Sequence, residues 1–80
     1  MNPVRHPTYA EAQAQCDAFN AAYKLGELIW VYPAERGGRL EEVSIVAPGA
    51  RVLGRHTAVV QVSGRHGCIA LTHVREWGGA

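Results

Sequence analysis

A change of pattern at Gly26 constrains this chain more than any other feature of its sequence. Before it, residues 9–24 contain no proline, glycine or β-branched residue, and alanine, the strongest helix former, is frequent. After it, apolar and polar residues alternate with period two, β-branched residues are common, and glycine or proline interrupts every run. The sequence therefore predicts one helix followed by several short strands. Because 80 residues hold only one sizeable core, we expect a single domain over residues 8–80.

The predicted helix spans residues 9–24 and has recognisable signals at both ends. Thr8 and Glu11 have the spacing of a capping box, in which each side chain hydrogen-bonds the backbone N–H of the other residue. Lys24 suits the negative end of the helix dipole, and Gly26 stands where a left-handed cap would fall. An apolar stripe runs along the helix at three- and four-residue steps, through Tyr9, Ala12, Cys16, Phe19 and Tyr23. We expect this stripe to pack on the strands, and residues 1–7, with two prolines, to form a flexible arm.

Five short strands are predicted, at residues 27–32, 40–47, 51–53, 57–62 and 68–72. Pro33 ends the first strand and an exposed loop follows it. Pro48 and Gly49 separate the second strand from the third, and the glycine-flanked segment 63–67 is a hairpin loop. Five strands of this length are enough for a small closed or half-closed barrel.

The order of these segments resembles an SH3-like barrel over residues 26–77. The resemblance is carried by Gly-Glu-Leu-Ile-Trp-Val at 26–31, the long loop after it, three closely spaced strands and Gly-Cys-Ile-Ala-Leu-Thr-His-Val at 67–74. In that fold the final hairpin strand often runs into one turn of 3₁₀-helix, which here corresponds to residues 71–74. The resemblance implies an α+β, mainly β fold, with the N-terminal α-helix packed on a small five-stranded SH3-like barrel.

Aromatic residues at strand ends and beside the long loop form a ligand groove in SH3-like barrels. The resemblance therefore makes Tyr32, Trp30 and Trp77 candidates for such a groove. The alternative is a structural role, because large aromatic side chains dominate small cores. For Trp30 we favour the core, and for Tyr32 and Trp77 both possibilities stay open.

Three further segments, at residues 14–20, 52–60 and 67–71, resemble small uncharacterised proteins encoded by phages and prophages of proteobacteria. No activity is attached to those proteins, so the resemblance carries no functional residue. It implies a phage-encoded protein that acts in the bacterial cytoplasm.

Charge is distributed unevenly along a chain whose net charge is only +1. Residues 43–75 contain four arginines and no acidic residue, whereas residues 1–42 contain four basic and six acidic residues. We predict that the glycine-bounded loops at 49–55 and 63–67 lie near each other and that their basic residues form one patch. The predicted partner-binding site combines these residues with one aromatic residue: Arg51, Arg55, His56, Arg65, His66 and Tyr32. The expected partner is a protein with an acidic surface or a nucleic-acid backbone. The alternative is that these arginines lie on separate loops and only increase solubility.

No catalytic or metal site is predicted. His66, Cys68 and His73 are the nearest approach to a zinc site, but they lack the paired spacing that closed zinc sites use. A nucleophilic cysteine needs a histidine base and a group to orient it, and no acidic residue occurs between Glu42 and Glu76. We therefore expect no enzymatic activity, no cofactor and no metal.

Two cysteines are too few for a disulfide-built secreted domain, so we expect both to be reduced thiols. Residues 1–7 hold no apolar segment of a secretion signal, and the longest apolar run, 28–32, is too short to span a bilayer. A cytoplasmic location is expected.

Three hypotheses for the function follow. The leading one is a small non-enzymatic protein-interaction module, such as a phage factor that binds or inhibits a host protein. The second is a nucleic-acid-binding accessory protein that uses the arginines of residues 51–75. The third is a small oligomeric structural or assembly component of a phage.

Overall fold

The computed structural model describes residues 8–64 and 66–77. Its elements are helix α1 (Tyr9–Ala22), strands β1 (Leu28–Val31), β2 (Glu41–Leu53), β3 (Thr57–Val62) and β4 (Cys68–Ala70), and a 3₁₀ turn (Leu71–His73). The strands form one antiparallel sheet in the order β1-β2-β3-β4. An α+β, mainly β fold with an N-terminal helix is therefore confirmed. The predicted arm, residues 1–7, lies outside the described residues.

Helix α1 begins as predicted and ends slightly earlier than predicted. The Thr8 N–H donates to Glu11 Oε1 at 2.9 Å, and the Glu11 N–H donates to Thr8 Oγ1 at 3.1 Å, which confirms the capping box. The helix ends at Ala22, because the backbone of Tyr23 is extended (φ −126°, ψ 142°). This conformation accompanies packing of the Tyr23 ring against Phe19, with the ring centroids 4.6 Å apart. The chain then turns at Gly26, whose φ of +88° favours glycine.

Strand β2 corrects the predicted number of strands. Residues 40–47 and 51–53, predicted as two strands, belong to one long bent strand, so the described residues contain four strands rather than five. The first part of β2 pairs with β1 and the last part pairs with β3. The register shifts between Ile45 and Ala50, where Gly49 has a φ of +80°. Proline and glycine therefore produce a bulge here and do not end the strand, since neighbours on both sides hold it.

The sheet curls so that the chain returns to β1 after the 3₁₀ turn. The Tyr32 N–H donates to the His73 carbonyl at 2.8 Å, and the Arg75 N–H donates to the Trp30 carbonyl at 2.9 Å. Val31 and Val74 form an isolated β-bridge between these two hydrogen bonds. The sheet is therefore a half-barrel whose first strand is also hydrogen-bonded to residues 73–75. The 3₁₀ turn lies where it was predicted.

The core lies between α1 and the concave face of the sheet. Three residues of the predicted stripe, Ala12, Cys16 and Phe19, are fully buried, whereas Tyr9 remains 58% exposed. The buried side chains of the strands and the 3₁₀ turn are mainly aliphatic: Ile29, Val31, Val43, Ile45, Val60, Val62, Ile69, Leu71 and Val74. The Trp77 ring meets Phe19 edge to face, with centroids 5.3 Å apart. The helix is thus joined to both the sheet and the end of the described chain.

A side chain from α1 holds the bent part of β2. β1 pairs only with residues 41–44 of β2, so it does not reach Ala50. There the Asn20 Nδ2 donates to the Ala50 carbonyl at 3.0 Å, and the Ala50 N–H donates to Asn20 Oδ1 at 2.8 Å. The side-chain amide therefore makes the two hydrogen bonds that a neighbouring strand would supply. It protects a sheet edge that would otherwise be open.

Candidate functional site

The two loops that were predicted to form one patch lie at opposite ends of β3. Arg55 and His56 are in the turn before Thr57, and His66 is in the turn after Val62. A six-residue strand spans about 20 Å, so these turns do not share a surface patch. Arg65 lies outside the described residues. The antiparallel topology therefore separates Arg55 and His56 from His66.

The basic residues at the β2–β3 end have different environments. Arg51 is half-buried on β2, where it lies opposite Val59. Arg55 is exposed in the turn, and His56 is half-buried. These residues lie together at one end of the β2–β3 hairpin.

His66 attaches the β3–β4 turn to the start of β2. Its Nε2 lies 3.1 Å from Glu41 Oε2, and the two side chains are only 22% and 31% exposed. Together with Pro33, Ala34 and Arg39, this pair lines a depression of about 150 Å³. Ligand pockets typically measure about 300–1,000 Å³, so the depression is small for a ligand site. The contact with Glu41 indicates a structural role for His66.

Tyr32 links β1 to the 3₁₀ turn. Its carbonyl accepts a hydrogen bond from His73 Nδ1 at 2.9 Å, which requires that this nitrogen carries the proton. The guanidinium carbon of Arg36 lies 5.5 Å from the centre of the Tyr32 ring. Arg36 Nη1 also donates to the Thr72 carbonyl at 2.7 Å, so the β1–β2 loop is attached to the 3₁₀ turn. The half-buried Tyr32 ring thus lies at the edge of an ordered surface.

The outer face of β1 carries two large exposed hydrophobic side chains. Leu28 and Trp30 are 59% and 37% exposed, whereas the intervening Ile29 and Val31 are fully buried. The prediction that Trp30 lies in the core is therefore wrong. The helix covers the opposite face of the sheet, so period-two alternation directs Trp30 outward with Leu28. Trp77, in contrast, is packed against the core.

Two opposite charges flank Trp30 on this surface. Glu42 lies directly across from Trp30 on β2 and is exposed. On the other side, the guanidinium carbon of Arg75 lies 5.9 Å from the centre of the Trp30 ring. Together these neighbouring residues form the β1 face: Leu28, Trp30, Tyr32, Glu42 and Arg75.

Glu76 holds the segment that carries Arg75 against β1. Both oxygens of its carboxylate lie 3.4 Å from the Trp30 backbone nitrogen, whose N–H they accept. One of these oxygens also lies 3.9 Å from Arg75 Nε. The position of Arg75 beside Trp30 is therefore supported by backbone pairing and by an adjacent charge.

The described residues show no group of three or more His, Cys, Asp or Glu that could hold a metal ion. Cys16 and Cys68 are free thiols. Burial, with a smaller contribution from Asp17, raises the pKa of Cys16, so its thiol stays protonated and poorly nucleophilic at neutral pH. In the part of the chain that the structure describes, no helix is long and apolar enough to cross a membrane.

A second depression, with a volume of about 380 Å³, lies where α1 meets the bend of β2. It is lined by Asn20, Tyr23, Lys24, Leu25 and Pro48. Burial raises the pKa of Tyr23, and the carboxylates of Glu76 and Glu27 raise it further. The amide of Asn20 is already bonded to the backbone of β2. This surface therefore presents apolar groups and one lysine, without a paired acid and base.

Comparisons with protein-family models, with curated proteins and with solved structures found no match to this chain. The geometry of the β1 face is therefore the basis for assigning a function. Of this face, the sequence alone predicts Tyr32 as a site residue and offers Trp30 as a candidate for a ligand groove, with the core favoured for Trp30. The alternation of residues 28–32 was the signal that could have revealed the others, since it places Leu28, Trp30 and Tyr32 on one side of a strand.

Proposed function

We propose that this chain is a small non-enzymatic protein-interaction module that binds its partner through the β1 face. The observation that carries the proposal is the exposure of Leu28 and Trp30 on β1, where the alternate residues Ile29 and Val31 are fully buried. Tryptophan, tyrosine and arginine are the residue types that contribute most to binding at protein interfaces. A contiguous apolar patch with a polar rim is also typical of an interaction site.

The position of these residues on the sheet supports binding to a protein. β1 is hydrogen-bonded on one side to β2 and on the other to residues 73–75, so its outer face is held in place before a partner arrives. A preorganised surface loses less conformational entropy on binding than a flexible loop does. The phage resemblance favours a phage-encoded factor.

We also infer that the half-barrel is SH3-like. The return of residues 73–75 to β1 directly after a 3₁₀ turn supports this assignment, because the segment occupies the place of a fifth strand. The bend in β2 supports it further, since one strand that pairs with two neighbours through its two halves curls a sheet toward closure.

Affinity capture tests the proposed function. The wild-type chain and its Trp30→Ala and Leu53→Ala variants are each immobilised. Extract of bacteria that produce a tagged form of the chain is passed over them, so that host proteins and further copies of the chain can both bind. The retained proteins are quantified by mass spectrometry. Leu53 is a matched control, because it is an apolar side chain, 45% exposed, at the far end of β2. We expect Trp30→Ala to lose proteins that the wild type and Leu53→Ala retain.

Two outcomes would contradict the proposal. In the first, Trp30→Ala retains the same proteins as the wild type. In the second, the chain retains nucleic acid that is released between low and moderate salt. That release would favour the arginines over the β1 face, because phosphate contacts depend steeply on salt.

A further inference from the structure

We infer that the partner of the β1 face is a second copy of this chain, so that the protein forms a symmetric dimer through Trp30. This inference rests on the proposed function and names the partner of the same surface. It is carried by the order of charges across the face: an acid on one side of Trp30 and a base on the other.

Glu42, Trp30 and Arg75 lie in one row across three neighbouring backbone segments. Glu42 is paired with Trp30 in the β1–β2 register, and the Arg75 N–H donates to the Trp30 carbonyl. Adjacent strands are about 4.8 Å apart, so the Cα atoms of Glu42 and Arg75 lie roughly 10 Å apart on either side of Trp30. The Arg75 side chain is 49% exposed, which leaves its guanidinium available for a second carboxylate.

A two-fold axis parallel to β1 makes this row complementary to itself. When two β1 faces meet across such an axis, Trp30 meets Trp30 at the centre. Glu42 of each copy then faces Arg75 of the other, so the dimer gains two opposite-charge pairs. An axis perpendicular to the strands would instead bring Glu42 against Glu42. The charges therefore select one of the two orientations.

The chemistry of the surface fits an interface of ordinary composition. Apolar and aromatic side chains run along the middle of the face, and charged groups lie at its sides, as in the core and rim of protein interfaces.

Sedimentation equilibrium tests the dimer directly. We expect the wild type and Leu53→Ala to be dimers and Trp30→Ala to be a monomer. Trp30→Ala removes the central side chain from both copies, so the dissociation constant should rise at least about 100-fold. Circular dichroism melting of each variant establishes that loss of the dimer is not loss of the fold.

Charge reversal tests the orientation. Residue 42 of each copy faces residue 75 of the other in the proposed dimer. Glu42→Arg would therefore place two positive charges together, and Arg75→Glu would place two negative charges together. Each variant should be monomeric by itself. An equimolar mixture of the two variants should form a dimer again, since both cross-pairs are then opposite in charge. If Arg75→Glu does not fold, Glu42→Arg should weaken the dimer more than the neutral variant Glu42→Gln does.

The outcomes separate this inference from the proposed function. A wild type that stays monomeric up to roughly millimolar concentration overturns the dimer. So does a Trp30→Ala variant that is still a dimer. If the wild type is monomeric and protein capture still depends on Trp30, the inference fails and the interaction module stands. If neither association nor capture depends on Trp30, both fail.

Discussion

Replacing Asn20 with alanine should destabilise the domain, because it removes both hydrogen bonds that hold the bend of β2. The bonds join the Asn20 side chain to the N–H and the carbonyl of Ala50, at 2.8 and 3.0 Å. Each such bond contributes about 1 kcal/mol to the free energy of unfolding. Water can form part of the lost hydrogen bonding in the variant, because Asn20 lies at an exposed position. We therefore expect a loss of about 1–2 kcal/mol from the free energy of unfolding. For a domain of this size that corresponds to a fall in melting temperature of about 5–15 °C.

Urea unfolding followed by far-ultraviolet circular dichroism measures this loss. Gln13→Ala is the matched control, because it removes a side-chain hydrogen bond to Asp17 on the exposed side of the same helix. That pair should contribute less than about 0.5 kcal/mol. If Asn20→Ala and Gln13→Ala unfold at the same urea concentration, the amide does not stabilise the bend and the reasoning is refuted.

Gly49→Ala provides an independent check of the same contact. A Cβ atom at Gly49 would lie 2.7 Å from Asn20 Oδ1, and the φ of +80° is strained for alanine. The strain costs about 1–2 kcal/mol, and the clash with Asn20 adds to it. We expect Gly49→Ala to cost less in the Asn20→Ala background, because the clash is then absent. Effects that add to within about 0.3 kcal/mol would contradict the contact.

Three further outcomes are expected. Phe19→Asp should unfold the domain, because it places an unpaired charge at a fully buried position. Tyr9→Asp is the control and should stay folded, because Tyr9 is 58% exposed. A Phe19→Asp melting curve identical to that of the wild type would contradict the placement of α1. Iodoacetamide should modify Cys68 before Cys16 in the folded protein, because Cys16 is fully buried and burial raises its pKa. Equal rates of alkylation of the two thiols, measured by mass spectrometry, would contradict this. Burial raises the pKa of Cys16 and Tyr23 above their ordinary values of 9.0 and 10.0, so the unfolded chain loses these protons first. The free energy of unfolding should therefore be greatest below about pH 9 and should fall as the pH rises above it. Equal midpoints of urea unfolding at about pH 7 and about pH 10 would refute this.

Local features of this chain could be predicted because they depend on neighbouring residues. The capping box of Thr8 and Glu11 needs only a three-residue spacing, and it is present in the structure. The 3₁₀ turn at Leu71–His73 is also present, but it was predicted from the SH3-like resemblance and not from neighbouring residues. Alternation over residues 28–32 likewise determined which side chains share a face of β1.

The number of strands required the tertiary structure. Pro48 and Gly49 favour a chain break when only the local sequence is considered. In the fold, β1 pairs with the part of β2 before them and β3 with the part after them, so one bent strand is retained. The contact from Asn20, thirty positions earlier in the chain, completes the arrangement.

The candidate site shows the same division between sequence and tertiary structure. Period two places Trp30 with Leu28 and opposite Ile29, but it does not specify which side of the strand meets the helix. That choice is made by packing: Phe19 and Trp77 occupy the space between helix and sheet, and the aliphatic face of β1 completes the core. The sequence alone therefore determined the helix, its cap and the alternation of the strands. Only the tertiary structure decided that Trp30 faces outward, because burial depends on which distant segments cover each face.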